Sequence, residues 1–324
     1  MNAPDLFSLR NPYNLGYLEE KLVRTGVIPS LIYRAKTGST NTDLVELAKQ
    51  GAPSGTVCLT DHQSAGRGRM GRSYEAPYGA QLTASILIRP HRAAIERLGV
   101  MPLAVGVALC DALAWPGVRL KWPNDLIIED GEISSEDNGA GASAPGSTDD
   151  SALACSKRGG AARSEDIAQR LRAGAAAVPV SSYGGARKLC GILAEAVSLG
   201  KEPAVVIGFG LNTAMRRSEL PVEHATSLAL ESIPFDRDDL AVKVIRALVR
   251  RLEQWECGDE KLLADYRSLS ATIGRDIRAI VPGDREILGV VRSIAADGQL
   301  VVDDGVGTHH HLAAGDVTHL RLRE

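Results

Sequence analysis

The stretch that most limits how this chain can fold lies in its middle and is not built to fold. From Gly131 to Ala186 more than half of the residues are Ala, Gly or Ser, and Tyr183 is the sole aromatic. Such a composition buries too little apolar surface to offset the entropy of ordering it. The segment is therefore expected to be a disordered surface insertion, with at most a transient helical turn or two at Ser164–Leu171. The consequence is topological: the sequence on either side must build one core together, and the two ends of the insertion must meet within reach of a short turn.

The remaining chain has the material for that core. At 324 residues and 34.4 kDa it has room for one large domain and a small one. Hydrophobic residues make up 44% and charged residues 24%, and a net charge of −3 provides no basic field for non-specific nucleic-acid binding. Aromatics are scarce at 4%, so the core is expected to be Leu, Val, Ile and Ala. The cysteines, Cys58, Cys110, Cys155, Cys190 and Cys257, are odd in number and contain no C-x-x-C pair, which favours reduced thiols and a cytoplasmic protein. Residues 1–10 lack the basic and apolar regions of a signal peptide. No apolar run approaches the roughly 18 residues of a membrane span, so neither export nor membrane insertion is expected.

In chain order, residues 1–30 read as an extension with a short helix around Leu18–Val23, too small for a DNA-binding head. A polar turn, Gly38-Ser39-Thr40-Asn41, precedes a helical pattern ending at Gly51, with Thr40 or Asn41 as N-cap and Asp43 completing a capping box. Strands are expected at Thr56–Thr60, Gln81–Ile88 and Val118–Trp122, and a largely apolar helix over Leu98–Trp115 with Pro102 in its first turn. Pro123 turns the chain and presents Asn124 and Asp125 at the bend rather than within the sheet. After the insertion, Lys188–Glu195 and Ala204–Gly210 read as paired strands. Helices over Asp236–Trp255 and Glu260–Leu269 are expected to close one face of the sheet. From Ile277 to Leu322, short β-runs separated by Pro-Gly-Asp, Asp-Gly and Asp-Gly turns suggest a small antiparallel barrel. His309-His310-His311 alternate across a strand and are not expected to converge on a metal.

One stretch makes poor sense as core. Gly66-Arg67-Gly68-Arg69-Met70-Gly71-Arg72 interleaves glycines and arginines with no strand or helix period to pack them. Backbone N–H groups freed of side-chain bulk, beside guanidinium forks, suit phosphate or carboxylate oxygens. A solvated basic turn or an RNA-binding segment is the plainer alternative for the string alone. The Gly38–Asn41 turn is likewise either a simple cap or an anion- or carbonyl-binding helix N-terminus.

Four stretches in order change that balance: Gly38–Asn41; Gly-Arg-Gly-Arg-Met-Gly-Arg; Lys121-Trp-Pro-Asn-Asp125; and Lys188-Leu-Cys-Gly-Ile-Leu193 followed by Gly208-Phe-Gly-Leu-Asn212. From about Ile32 to the C-terminus the chain resembles the biotin protein ligases. The resemblance implies an α+β fold: a mixed β-sheet with helices on one side at 31–270, interrupted by the 131–186 insertion, and an SH3-like barrel at 271–324. It implies that biotin and ATP, with Mg²⁺ held largely through the ATP phosphates, form biotinyl-5′-AMP, and that biotin then passes to a lysine of a biotin carboxyl carrier protein. No DNA partner is implied, and the protein is expected as a monomer or homodimer. The chain departs from the family pattern in its long insertion, in lacking the head of the repressor members, and in Tyr74, where many relatives carry Trp.

Carried over residue by residue, Ser39, Thr40, Asn41, Gln63, Arg67, Gly68, Arg69, Lys188 and Gly191 would contact biotin. Arg67, Arg69, Arg72, Tyr74, Lys121, Asn124 and Asn212 would face ATP or the adenylate. Lys188 and Arg69 would supply charge where a carboxylate attacks the α-phosphate, a meeting of two anions. The acceptor lysine, with an ordinary pKa of about 10.4, must lose a proton. Asp125 is the candidate base, and equally a candidate to orient Lys188 or to help hold Mg²⁺. A lipoate ligase or octanoyltransferase of the same fold, and a non-catalytic biotin-responsive binder, are the alternatives. The first lacks a matching motif here. The second would need a DNA-binding segment or loss of Lys188.

Overall fold

The computed structural model describes residues 8–71, 75–129, 185–313 and 315–319. The expected insertion lies almost wholly outside the described residues, as do Arg72, Tyr74, Tyr183 and Cys155. In chain order the described residues form α1 (Leu15–Leu18), which continues as a π-turn to Val23, β1 (Leu31–Arg34), α2 (Thr40–Lys49), β2 (Val57–Thr60), β3 (Gln81–Ile88), α3 (Arg92–Ile95), α4 (Met101–Leu113), β4 (Val118–Lys121) and β5 (Asp125–Ile128). After the gap come β6 (Arg187–Ser198), β7 (Ala204–Asn212), α5 (Arg237–Cys257), α6 (Glu260–Leu269), β8 (Asp276–Val281), β9 (Arg285–Ile294), β10 (Leu300–Asp303), β11 (His309–Leu312) and β12 (Asp316–His319).

The large sheet has the order β1-β2-β3-β7-β6-β5-β4 and is antiparallel except for the β1–β2 pair. Its centre, β3 and β7, is buried along its whole length. The strand period of two splits it chemically. Leu82, Ala84, Ile86 and Ile88 of β3, with Val205, Ile207, Phe209 and Leu211 of β7, belong to the main core. The alternate positions divide in two: Gln81, Thr83 and Ser85, with Gly208, Gly210 and Asn212, are small or polar, while Leu87 and Val206 join a second apolar cluster beneath α2. Helix α4 covers the apolar face across β4, β5 and β6 and is itself covered by α5 and α6. This explains why α4 is apolar all round, whereas α5 carries a single stripe of Leu240, Val244, Leu248 and Leu252. The two late helices thus reach the sheet chiefly through α4. Truncating a side chain as enclosed as Leu109 would cost about 2–5 kcal/mol. On the opposite face α2 packs over β2, β3 and β7 through Leu44 and Ala48.

Several local expectations are corrected. The N-cap of α2 is Ser39, extended at φ −160°, while Thr40 and Asn41 are inside the helix and buried. Asp43 closes no capping box: its Oδ2 accepts from Thr37 Oγ1 at 2.7 Å. The Leu98–Trp115 helix begins as a 3-10 turn and ends at Ala114, whose left-handed φ of 47° stops it before Pro116. Asp125 is not displayed at a bend. It opens β5, pairs with Lys121 and Gly191, and is buried, which is tolerated because a cation lies against it.

The five-stranded antiparallel unit, in the order β11-β10-β9-β8-β12, is the small β-body expected at the C-terminus. It docks on the Lys121-Trp122 turn. Trp122 Nε1 donates to Gly298 O (3.0 Å), Trp122 N to Thr272 Oγ1 (3.1 Å), and Lys121 Nζ to Val317 O (2.6 Å). The β9–β10 turn comes so close to the start of α4 that a Cβ on Gly298 would lie 2.7 Å from Gly99 O. The described part of the N-terminal extension adds Tyr13, Leu18, Leu22 and Ile28 to the main core. Cys58, Cys110, Cys190 and Cys257 are free thiols, and burial pushes Cys58 and Cys110 up to about 12.

Candidate active site

A cleft of about 480 Å³ opens on the polar face of β3 and β7. Every described residue singled out from sequence lines it: Ser39, Thr40, Asn41, Gln63, Arg67, Gly68, Arg69, Lys121, Asn124, Asp125, Lys188, Gly191 and Asn212. One wall is neutral. Thr40 N donates to Gln63 Oε1 at 2.8 Å, Thr40 Oγ1 lies 2.7 Å from Ser85 Oγ, and Ser85 Oγ donates to Asn41 Oδ1 at 2.6 Å. Asn41 Nδ2 in turn donates to Glu195 Oε2 at 2.6 Å, which fixes which way the amide faces. Gly208 lies against this relay: a Cβ there would sit 2.2 Å from Asn41 Oδ1 and 2.6 Å from Ser85 Oγ. A glycine is required because no side chain fits between the β7 backbone and these two oxygens.

The other wall is charged. Lys188, second residue of β6, places Nζ 2.6 Å from Asp125 Oδ1. Its backbone is fixed as well, with its N–H donating to His224 O at 2.7 Å and its carbonyl accepting from Thr226 N at 2.8 Å. Gly191 would present a Cβ 3.5 Å from Lys188 Nζ, so as glycine it leaves room beside the ammonium. Asn124 is clamped to β6 by Asn124 Nδ2→Ile192 O (3.0 Å) and Ile192 N→Asn124 O (2.9 Å), and its Oδ1 accepts from Arg69 NH1 at 3.1 Å. Arg67 reaches the neutral side, donating to Thr42 Oγ1 at 2.9 Å. The two described arginines of the glycine-rich stretch, Arg67 and Arg69, therefore reach opposite walls of the cleft. Lys121 lines the charged wall with its ammonium turned toward Val317 O, and desolvation by burial pushes its pKa down to about 8. Asn212 accepts from Gln81 Nε2 at 2.7 Å and donates to Thr226 O at 2.8 Å, which fixes its amide at the floor.

Several lining residues were not singled out. Thr83 and Ser85 come from β3; their signal was available as polar side chains at every second position of an otherwise apolar strand. Pro221, Val222, His224 and Ala225 come from the loop after β7, and Ile280 and Gly315 to Thr318 from the C-terminal unit. No local pattern marks these, because only docking brings them to the cleft. Among the described residues no group of three or more His, Cys, Asp or Glu side chains converges as a metal site, and Asp125 is engaged by Lys188. The described side chains do not form a carboxylate cage for the expected Mg²⁺.

Comparison with known proteins agrees with this geometry. Residues 33–136 match the model of the biotin/lipoate A/B protein ligase family, and residues 272–320 match the biotin protein ligase C-terminal domain. The biotin–[acetyl-CoA-carboxylase] ligase of Mycobacterium tuberculosis is 32% identical over 321 residues, covering 97% of this chain and 98% of that protein. The bifunctional ligase/repressor BirA of Escherichia coli is 30% identical over 261 residues, which span 78% of this chain and 63% of BirA. In fold, the chain is similar to the biotin protein ligase from Aquifex aeolicus in complex with biotin and ATP, with a TM-score of 0.61 at 21% identity over 91% of this chain and 99% of that one. By motif, fold and near full-length similarity, this chain belongs to the biotin protein ligases.

Proposed function

We propose that the chain joins biotin to ATP as biotinyl-5′-AMP and transfers the biotinyl group to a lysine of the biotin carboxyl carrier domain of an acetyl-CoA carboxylase type enzyme. The observation that carries this reading is the pairing, within one cleft, of a neutral hydrogen-bonding wall with a cationic wall, spanned by Arg67 and Arg69. The neutral wall suits an uncharged polar ring, held by Ser39, Thr40, Asn41 and Gln63. The cationic wall suits the place where a carboxylate oxygen attacks the α-phosphorus and the bond to the pyrophosphate oxygen breaks. Lys188 and Arg69 offset the charge that accumulates there. Gly68 lets the backbone of the loop approach the phosphate, and Asn124, Asn212 and Lys121 flank the nucleotide. Residues 31–270 and 271–324 are taken as the catalytic and C-terminal units, with Mg²⁺ entering on the ATP phosphates.

In the second step the acceptor amine attacks the acyl carbon, the bond to the adenylate oxygen breaks, and AMP leaves. Asp125 is the proton acceptor within the cleft. Its ion pair with Lys188 gives it a second role, holding Lys188 in register before the substrates bind. Incubating the protein with biotin, Mg-ATP and an isolated carrier domain tests the reading. A biotin-sized mass increase on one carrier lysine is expected, and its absence, with the carrier folded and ATP present, would overturn it.

A further inference from the structure

Neither wall accounts for Asp61. This carboxylate is 3% exposed at the end of β2, where three groups converge on it: Arg237 NH2 at 2.7 Å, Tyr33 Oη at 2.5 Å and Tyr78 Oη at 2.8 Å. Its backbone carbonyl also accepts from Gly79 N at 2.9 Å. Next to it, His62 Nδ1 lies 3.2 Å from Ala76 O, and the His62 and Tyr78 rings stack with centroids 6.5 Å apart. The chain that leaves β2 at Asp61 and returns at Tyr78-Gly79 is thus tied at its base by one residue, through side chain and main chain together.

The two arms so joined lead directly to the site. Two residues along the outgoing arm, Gln63 holds the Thr40 N–H of the neutral wall. Two residues along the return arm, Gln81 donates to Asn212 on the floor. The tie is braced from behind by the N-terminal segment. The Arg237 guanidinium stacks 3.8 Å from the Tyr13 ring centroid and donates to Asn11 O, while a Cβ on Gly79 would lie 2.6 Å from Arg10 O. Against apolar side chains of similar volume, a buried ion pair adds little net stability, so its worth at this place is better sought in position than in folding energy.

We propose that Asp61 is a positioning residue of the ligase: by holding Tyr78-Gly79 against the end of β2 it sets the spacing between Gln63 and Gln81–Asn212, and thereby how long the activated acyl-adenylate is retained. The inference rests on the adenylate reading of the cleft. The hydroxyl of Tyr78, whose residue is 46% exposed, can be removed with little effect on packing. Tyr33 donates to the same carboxylate oxygen from β1, at 2.5 Å against 2.8 Å for Tyr78, and because it lies outside the tied segment it serves as the control.

The test loads the full-length protein with biotin and Mg-ATP, removes free substrates, and follows release of the adenylate together with thermal melting. Tyr78→Phe is expected to speed release by about fivefold or more and Tyr33→Phe by less than about twofold, at similar melting temperatures. Asp61→Asn, if it folds, is expected to release at least as fast as Tyr78→Phe. Equal acceleration by both tyrosine variants in step with loss of melting temperature would reduce Asp61 to a structural role and overturn the proposal, as would unchanged release from Tyr78→Phe. A wild-type protein that forms no biotin-dependent adenylate would overturn the reading of the cleft itself, and this is seen before any variant is compared.

Discussion

The two walls of the cleft solve different problems with different chemistry. The wall built around α2, β3 and β7 presents neutral side chains: Gln63, Thr40, Ser85 and Asn41 bond to one another in sequence, and the Glu195 carboxylate of β6 holds the far end of the Asn41 amide. Each side chain is oriented before any ligand arrives, so the wall recognises shape and hydrogen-bond polarity with little ordering cost. The wall built by β4, β5 and β6 instead concentrates charge around Lys188, Asp125, Lys121 and Arg69. Charges taken from water are costly to hold and become valuable only where charge develops during reaction. The contrast implies that damage to the first wall is read in binding and damage to the second in rate.

The sharpest way to break that comparison is at Lys188. Lys188→Ala should lower biotin-dependent pyrophosphate release by about 10²–10³-fold, the usual cost of removing one preorganised electrostatic group. Release within about tenfold of the wild type, a barrier change of about 1.4 kcal/mol, would remove Lys188 from its role. On the neutral side, Gly208→Ala pushes a methyl group into the Asn41–Ser85 pair. KM for biotin should rise by about tenfold to a hundredfold, equivalent to about 1–3 kcal/mol of lost hydrogen bonding, with kcat at saturating biotin little changed. A fall in kcat at constant KM would mean that the walls do not divide the work in this way.

Lys121 reports the cost of the charged wall. Its pKa falls from 10.5 in the unfolded reference to about 8, with desolvation the largest cause. Between those values the unfolded chain binds more protons, so folding stability rises with pH from about 8 to 10.5 and carries the full penalty below about 8. Lys121→Met lacks the group. The stability of the wild type relative to this variant should therefore climb across that window, as read from urea midpoints at the two ends, and parallel profiles would contradict the assignment. The smallest effect is expected far from both walls. Ile128 and Arg187, which flank the 131–186 segment, are direct partners across β5 and β6. A short Gly/Ser turn in place of residues 132–183 can join them, and loop length is cheap at about 0.6 kcal/mol per doubling. Adenylation should stay within a fewfold. Precipitation, or normal adenylation without transfer to the carrier, would show that the segment does more than connect.

Much of this was legible in the chain. The strand pair β6–β7, the helices α5 and α6 with the Asp236 cap, and the C-terminal hairpins follow from local period and turn chemistry. Gly66–Arg72 announced itself as a segment that packs poorly and suits an anion, whereas Lys121–Asp125 and Lys188–Leu193 read locally as strand and turn and pointed to the site through the ordered set of motifs. Where local reading failed, the causes differed. Asp125 is inside the sheet because Lys188, 63 residues on, meets it there; the Asp43 capping box failed for a local reason, since Ser39 and not Thr40 is the N-cap.

What the sequence by itself determined is therefore most of the elements, which rest on interactions within a few residues of chain, though not β1 or α3. It also determined the residues that carry charge to the cleft and the family to which their ordered motifs point. Tertiary structure alone decided which side chains complete each other. Glu195 orients Asn41, Asp61 joins two arms of chain that part for 17 residues from His62 to Tyr78, and Val317 of the C-terminal unit takes the Lys121 ammonium. The physical reason is common to all three. A buried polar or charged group must find a partner, and which partner it finds depends on where the whole chain has brought the donors and acceptors, a distance that no local pattern records.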